Sequence, residues 1–130
     1  MENSEGTEYQ VGGDIVRLRK NNIIHVIAKG LQSNELAVEM KKLCLDLNAQ
    51  MEGKCNYLIN VNECGKNEPG AREIWKELGD HDNTHKAAIY GMNPVARLIA
   101  NFVIGSYSKH NMRFFKSEEE AIDWLLNEKD

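Results

Sequence analysis

The fold is decided by residues 85–128, which read HKAAIYGM (85–92), NPVARLIANFVIGSYS (93–108), NMRFF (111–115) and SEEEAIDWLLNE (117–128). The first and third stretches are short, largely apolar runs, as expected of buried strands. The second opens on an Asn-Pro pair suited to a first helical turn, and the fourth opens on a capping box of Ser117 and Glu120. The order strand, helix, strand, helix predicts parallel strands joined by right-handed crossovers.

The second stretch carries the strongest apolar stripe of the chain. Its members recur at helical spacing and are Val95, Leu98, Ile99, Phe102 and Val103. Burying side chains of this kind stabilises a fold by roughly 1.5 to 3 kcal/mol each, so we expect this helix to anchor the core.

The preceding part of the chain predicts a hairpin and a first helix. Residues 1 to 12 are polar and are predicted to be loose. Asp14 to Lys20 alternates apolar and charged residues, and the Asn21-Asn22 pair that follows favours a tight hairpin turn before IIHVIAKG (23–30). Ser33 is a good N-cap for a helix whose apolar stripe ends near Gly53.

The middle of the chain predicts one more strand and one more helix. YLINV (57–61) reads as a buried strand, NECGKNE (62–68) as a polar loop, and Pro69 to Gly79 as a helix. We therefore predict an α/β fold. It is a single domain over residues 9–130, preceded by a loose segment at residues 1–8, with a mixed sheet of about five strands flanked by about four helices and beginning with an antiparallel hairpin.

The composition narrows the function classes. A chain of 130 residues with net charge −4 fits one globular domain and argues against a nucleic-acid partner, which requires a basic surface. The three cysteines form no CxxC pair, which is typical of free thiols in a reducing cytosol. The N-terminus does not resemble a signal peptide, and the most apolar stretch, Val95 to Ile104, is interrupted by Arg97 and Asn101. We expect a cytoplasmic protein without an integral membrane segment.

Taken together, these segments resemble a STAS-like domain of the SpoIIAA-like (STAS/SEC14) family. The resemblance rests on KAAIYGMNPVARLIANFVIGSYSKHNMRFFKSEEEAIDWLL (86–126) together with YLINVNE (57–63), and it spans about residues 9 to 127. It implies binding and regulation rather than catalysis, as in anti-sigma-factor antagonists and transporter regulatory domains.

One feature departs from that family. Phospho-switch antagonists carry a serine or threonine where the central strand runs into the next helix, and here that position reads Asn62-Glu63-Cys64-Gly65. No serine or threonine occurs between Asn34 and Asn83. Because no phosphoester forms without a hydroxyl, this switch is excluded at this position.

Two places are candidate binding sites. The first is Glu63, Cys64 and Gly65, at the carboxyl end of a strand, where ligands of open α/β sheets gather. A Cys64 thiolate there would sense oxidants if its pKa were lowered, but Glu63 and Lys66 act in opposite directions, and an inert cysteine is the alternative we expect. The second is Met92-Asn93, before a helix N-terminus that could hold an anion; simple helix capping is again the expected alternative.

We predict no catalytic residues, no metal site and no cofactor. His81 and His85 lie beside two aspartates, but this segment reads as a loop, in which they would not converge on a zinc ion. His25 and His110 have no evident partner for acid–base chemistry. The predicted function is a non-catalytic, cytosolic regulatory or protein-interaction module. We expect a protein partner, and the apolar helix would also suit a homodimer. The alternative is a carrier or sensor of a small apolar ligand or lipid, held beside the Asn93 to Tyr107 helix.

Overall fold

A computed structural model describes residues 7–94, 97–98 and 111–127. Within these residues a six-stranded sheet is flanked by three helices. The strands are β1 (Glu8–Val11), β2 (Asp14–Arg19), β3 (Ile23–Gln32), β4 (Cys55–Asn67), β5 (Thr84–Tyr90) and β6 (Met112–Phe115). The helices are α1 (Asn34–Ala49), α2 (Pro69–Asp80) and α3 (Glu118–Leu126).

The strands lie side by side in chain order. β1, β2 and β3 pair antiparallel, whereas β3, β4, β5 and β6 pair parallel. The predicted α/β class with a mixed sheet that begins with an antiparallel hairpin is therefore confirmed. The hairpin turn is the predicted Asn21-Asn22 pair, with φ of 65° and 57°, values that match the twist of the flanking strands.

The sheet has one strand more than the roughly five predicted. Residues Glu8–Val11 were expected to be loose, but they form β1 and pair with β2 from Glu8↔Arg17 to Val11↔Asp14. The polar composition of these residues did not indicate a strand, because an edge strand with one solvent-exposed face needs few apolar residues. Most of the predicted loose segment, residues 1–8, lies outside the described residues.

One face of the sheet packs against α1 and α2. The core there contains Val16, Leu18, Ile24, Val26, Met40, Cys44, Leu47, Tyr57, Leu78 and Ala87, all buried. The predicted N-cap is confirmed, because Ser33 Oγ accepts the Leu36 amide at 3.1 Å. A second acceptor, Glu68 Oε1, takes the Asn34 amide at 2.8 Å and ties the start of α1 to the start of α2.

The opposite face of the sheet packs against α3. Ala121 and Leu125 enter a cluster with Ile23, Leu58, Ala88 and Tyr90. Ser117 Oγ accepts the Glu120 amide at 3.2 Å, so the predicted cap at this helix start is also confirmed.

A buried lysine from the sheet completes the other end of α3. Lys86, only 6% exposed, donates to the carbonyl oxygens of Trp124 at 2.9 Å and Asn127 at 2.7 Å. Its ammonium group also lies 4.9 Å from the centre of the Trp124 ring. Cations stabilise the carbonyl end of a helix, because they satisfy oxygens that have no partner within the helix.

The predicted anchoring helix within residues 93–107 falls largely outside the described residues. Val95, Ile99, Phe102 and Val103 are not described. Leu98 is described and is 71% exposed, so the prediction that it belongs to the core stripe is wrong. Its side chain is instead part of the surface considered below.

We predict that Lys86→Met lowers the free energy of unfolding by about 2 kcal/mol, because two charge-assisted hydrogen bonds to the end of α3 are lost. Urea denaturation measures this change. The matched control is Lys42→Met on the exposed surface of α1, which should change stability by less than about 0.5 kcal/mol. Equal effects of the two substitutions would contradict the capping role of Lys86.

Candidate functional site

Asparagine side chains join the second half of β4 to the segment that follows β5. Asn60 Oδ1 accepts the Asn62 amide at 2.9 Å, and Asn62 Oδ1 accepts the Met92 amide at the same distance. Asn93 Nδ2 donates to the Cys64 carbonyl oxygen at 3.1 Å. These bonds bring together the two candidate sites that are separate in sequence. We call this surface the carboxyl edge; it comprises Asn62, Glu63, Cys64, Gly65, Met92 and Asn93.

The backbone that carries Cys64 is a strand and not the predicted polar loop. β4 continues through Asn67 because the end of β3 continues beside it, with Lys29 opposite Glu63, Gly30 opposite Cys64 and Gln32 opposite Asn67. Gly65 also packs closely on this part of β3, since a Cβ atom added to it would lie 3.1 Å from the Gly30 carbonyl carbon. The prediction of a loop over residues 62–68 is wrong, because pairing with β3 overrides the polar composition.

This geometry gives Cys64 a packing role. Its side chain is buried, 7% exposed, and packs with Ala28, Val61 and Ile89. Burial raises the pKa of the Cys64 thiol, and the hydrogen bond from Asn67 only partly offsets this. A raised pKa lowers the thiolate fraction at neutral pH, which favours the inert reading of Cys64 over the redox sensor.

A crevice with an apolar and basic lining adjoins the carboxyl edge and shares Met92 with it. Met92 and Leu98 are both 71% exposed, and they line this crevice of about 450 Å³. The other lining residues are Gly91, Pro94, Arg97 and Lys116. Arg97 lies over the Phe114 ring, with its guanidinium carbon 5.6 Å from the ring centre.

Sequence reasoning identified Met92 but missed Arg97, Leu98 and Lys116 as partners in one surface. Lys116 follows β6, and the pairing of β5 with β6 brings it beside the residues that follow β5. The signal available in the sequence was the predicted parallel pairing of these two strands, which places their carboxyl ends at one edge.

The two histidines that the sequence places beside aspartates lie on different parts of the structure, His81 at the end of α2 and His85 on β5. His81 Nδ1 accepts the Asn83 amide at 3.1 Å. Among residues 7–94, 97–98 and 111–127, no three His, Cys, Asp or Glu side chains lie close enough together to hold a metal ion. In the same residues, no helix is long and apolar enough to cross a membrane.

A second polar cluster lies under the start of α3, on the face of the sheet that α3 covers. Arg19 Nη1 lies 2.7 Å from Glu118 Oε2 and 3.2 Å from His25 Nδ1. His25 Nε2 lies 2.9 Å from Tyr90 Oη, which in turn lies 3.2 Å from Glu118 Oε1. The four side chains close a ring that joins β2, β3, β5 and α3.

The donors and acceptors of this ring are fixed by chemistry. A guanidinium group has no acceptor, so Arg19 donates to His25 Nδ1, which must carry no proton. His25 Nε2–H then donates to Tyr90, whose hydroxyl donates to Glu118. Burial, followed by the neighbouring arginines, lowers the pKa of His25 from 6.5 to about 4, although Glu118 opposes the shift. The ring thus holds a neutral histidine that already uses both nitrogens, which suits a structural lock better than acid–base catalysis.

Comparison with known proteins places the domain in a family. Residues 16–129 match the family model described as domain of unknown function DUF7793. The chain belongs to this family. No curated protein sequence matches it significantly.

Solved structures establish the fold of this DUF7793 domain. One is an uncharacterised protein of the DUF3478 family with a SpoIIAA-like fold from Shewanella loihica, which is 19% identical with a TM-score of 0.61. The match covers 96% of this chain and 98% of that one. Another is the anti-sigma factor antagonist SpoIIAA in its unphosphorylated form, 14% identical with a TM-score of 0.54 over 85% of this chain and 94% of that one. The predicted STAS-like, SpoIIAA-like fold is confirmed.

For the DUF7793 domain we predict slow alkylation of Cys64. Iodoacetamide at neutral pH should label Cys64 in the folded protein as slowly as Cys44, whose thiol is fully buried with a pKa raised to about 12. Mass spectrometry of timed samples reads the rates, and unfolding in urea should make both thiols react rapidly. Faster labelling of Cys64 in the folded state would restore the redox hypothesis.

We also predict that the contribution of His25 to stability decreases as the pH falls from 6.5 towards 4. Because the folded pKa of His25 is below its unfolded value, the unfolded chain binds a proton in this window and the folded one does not. The loss for one proton is at most about 1.4 kcal/mol per pH unit. Urea unfolding at several pH values measures it. His25→Gln should be less stable at pH 7.5 and show a flatter pH dependence; parallel curves for the two proteins would contradict the assignment.

Proposed function

We propose that this domain is a non-catalytic, cytosolic regulatory module that binds another protein through the carboxyl edge and the crevice beside it. The fold supports a role of this kind only in general terms, since one solved structure with the same fold is an anti-sigma factor antagonist. The specific argument comes from the surface itself.

The observation that carries the proposal is the exposure of two large apolar side chains at one place. Met92 and Leu98 are each 71% exposed on the rim of the same crevice. Exposed apolar side chains that cluster beside polar groups mark interaction sites more often than isolated ones do. Among the described residues that line the same crevice, Arg97 and Lys116 are basic and none is acidic. A partner segment with apolar and acidic side chains would complement it.

The chemistry of the described residues favours binding over catalysis. Cys64 is the cysteine of the carboxyl edge, and burial raises the pKa of its thiol. His25, a potential base, is buried on the other face of the sheet with both ring nitrogens occupied. The described residues of the carboxyl edge therefore offer no activated nucleophile paired with a base, which acyl or phosphoryl transfer would need.

Cys64 lies where phospho-switch antagonists carry a serine or threonine hydroxyl. We therefore expect that phosphorylation at this position does not control binding. The Cys64 carbonyl oxygen accepts from Asn93, and its side chain packs inwards. The carboxyl edge is thus held in one conformation by hydrogen bonds among Asn60, Asn62, Met92, Asn93 and Cys64. A surface fixed in this way loses little conformational entropy on binding.

Affinity capture from the native cytosol, followed by binding measurements with the purified candidate partner, tests the proposal. Met92→Asp and Leu98→Asp should each weaken binding at least tenfold, because each removes an apolar anchor and adds a charge of the partner's sign. The control is Leu126→Asp, which changes a 47% exposed leucine on α3 and should leave binding unchanged.

Two results would overturn the proposal. One is a partner that binds all three variants as tightly as the wild type, which would place the interface elsewhere. The other is an apolar molecule retained by the untagged protein in repeated native mass spectra, which would instead support the lipid or apolar-ligand carrier.

A further inference from the structure

Two buried side-chain oxygen atoms near the end of β3 have no hydrogen-bond partner among the described residues. They are Asp14 Oδ2 and Gln32 Oε1. The exposed fractions of the two residues are 0% and 1%. A buried acceptor without a donor costs about 1 to 3 kcal/mol, and more when it is charged, so folded proteins rarely leave one on each of two side chains that contact one another.

The remaining polar atoms of the same two side chains are paired. Asp14 Oδ1 accepts the Lys29 amide at 2.8 Å and Gln32 Nε2 at 3.1 Å. The register of β3 shifts between Ile27 and Lys29, and Asp14 supplies the acceptor for the Lys29 amide at that irregularity. The carboxyl group of Asp14 and the amide group of Gln32 are therefore already joined through Oδ1 and Nε2. The unpaired atoms are the other oxygen of the carboxyl group and the oxygen of the amide group.

We propose that Asp14 in the folded protein keeps a proton on Oδ2 at pH values where an exposed aspartate is already ionised, and donates it to Gln32 Oε1, forming an uncharged acid–amide pair. The proton turns Asp14 Oδ2 into a donor, and Gln32 Oε1 becomes its acceptor, so neither oxygen stays unpaired. The amide N–H to Oδ1 bond and the O–H to Oε1 bond run in opposite directions, as in a carboxylic acid bound to a primary amide. This inference does not depend on the proposed function.

The surroundings of Asp14 favour the neutral acid. Burial raises the pKa of this carboxyl, and the hydrogen bonds from Lys29 and Gln32 only partly oppose the shift. Among the described residues, no lysine or arginine lies within ion-pair distance of Asp14. The strands packed around Asp14 carry three titratable groups. The Cys64 thiol of β4 interacts electrostatically with Asp14. Tyr9 of β1 lies on the same core face, and the side chain of Lys29 is exposed.

A bound cation is a poor substitute for this proton. Calcium and magnesium need about six oxygen ligands. In the described part of the chain, Asp14 belongs to no cluster of three or more acidic, His or Cys side chains. A bridging water molecule is the remaining alternative, and it would leave the carboxylate ionised.

The acid–amide pair links the protonation of Asp14 to the end of β3 that lies beside the carboxyl edge. Gln32 Nε2 also lies 3.3 Å from the carbonyl oxygens of Lys29 and Gly30, and Gly30 is opposite Cys64 in the sheet. Loss of the proton would place a second anionic oxygen against Gln32 Oε1 and loosen this end of β3. Because the folded pKa is raised, the stabilisation is complete below the unfolded pKa and is lost as the pH rises through the folded pKa.

Asp14→Asn tests the proposal, because the Asn Nδ2 group donates where the protonated Oδ2 would donate. Urea midpoints of the wild type and Asp14→Asn should coincide near pH 4 and separate as the pH rises, with the variant the more stable. His25 titrates equally in both proteins, so its contribution cancels. Asp14→Ala loses the bond to Lys29 and should have a lower midpoint than Asp14→Asn at every pH.

The carboxyl ¹³C chemical shift of Asp14, assigned by its absence in Asp14→Asn, reads the proton directly. We expect its titration midpoint to lie above the ordinary value of 3.8. A midpoint at or below that value overturns the proposal, and so does an Asp14→Asn variant that is less stable than the wild type by a margin that grows with pH. Either result would show that the folded protein holds the carboxylate.

Discussion

The parallel pairing of β3 with β4 is the interaction on which the rest of the structure depends. It begins with Ile23 opposite Asn56 and ends with Gln32 opposite Asn67, so it spans the full length of β3. On one side it carries the antiparallel hairpin, and on the other it carries the parallel strands β5 and β6. Both strands are buried through their central residues, where Ile24, Val26 and Leu58 are each at most 1% exposed. Removing water from these aliphatic side chains supplies a large part of the folding free energy.

The two faces of the sheet are covered by different means. α1 and α2 bury long aliphatic side chains and a thiol on one face, where apolar contact dominates. α3 buries only Ala121 and Leu125 fully on the other face, and polar groups hold both its ends. Glu118 enters the ring with Arg19, His25 and Tyr90 at its start, and Lys86 caps its last carbonyl groups. Hydrogen bonds are directional where apolar contacts are not, so they fix the position of a short helix that would otherwise slide on the sheet.

The parts of the fold that local chemistry determines could be predicted from the sequence. The Asn21-Asn22 turn, the Ser33 and Ser117 caps and the Pro69 start each depend on one or two neighbouring residues, and the structure confirms them. The parts that depend on distant pairing could not be predicted. β1 exists because Glu8–Val11 meets β2, and β4 extends to Asn67 because the irregular end of β3 lies beside it.

The candidate site shows the same division. Cys64 and Asn93 were each noted as strand-end residues, but the hydrogen bond that joins them requires β4 and β5 to be neighbours. The sequence does indicate that Asp14 is unusual, because this residue shares the inward face of β2 with Val16 and Leu18. It indicates the buried position of Lys86 less strongly, since Lys86 is a lone charged residue at the start of an apolar strand. Charged residues on inward faces are therefore the sequence feature that most directly indicates long-range polar contacts in a chain of this kind.

Side chains of the carboxyl edge supply hydrogen-bond partners for its backbone. Asn62 Oδ1 accepts the Met92 amide and Asn93 Nδ2 donates to the Cys64 carbonyl oxygen, so these backbone groups are satisfied by neighbouring segments. The exposed Met92 and Leu98 gain nothing from this arrangement in the isolated domain. Exposed apolar side chains beside the polar contacts of Asn62 and Asn93 are the feature on which the proposed binding role rests.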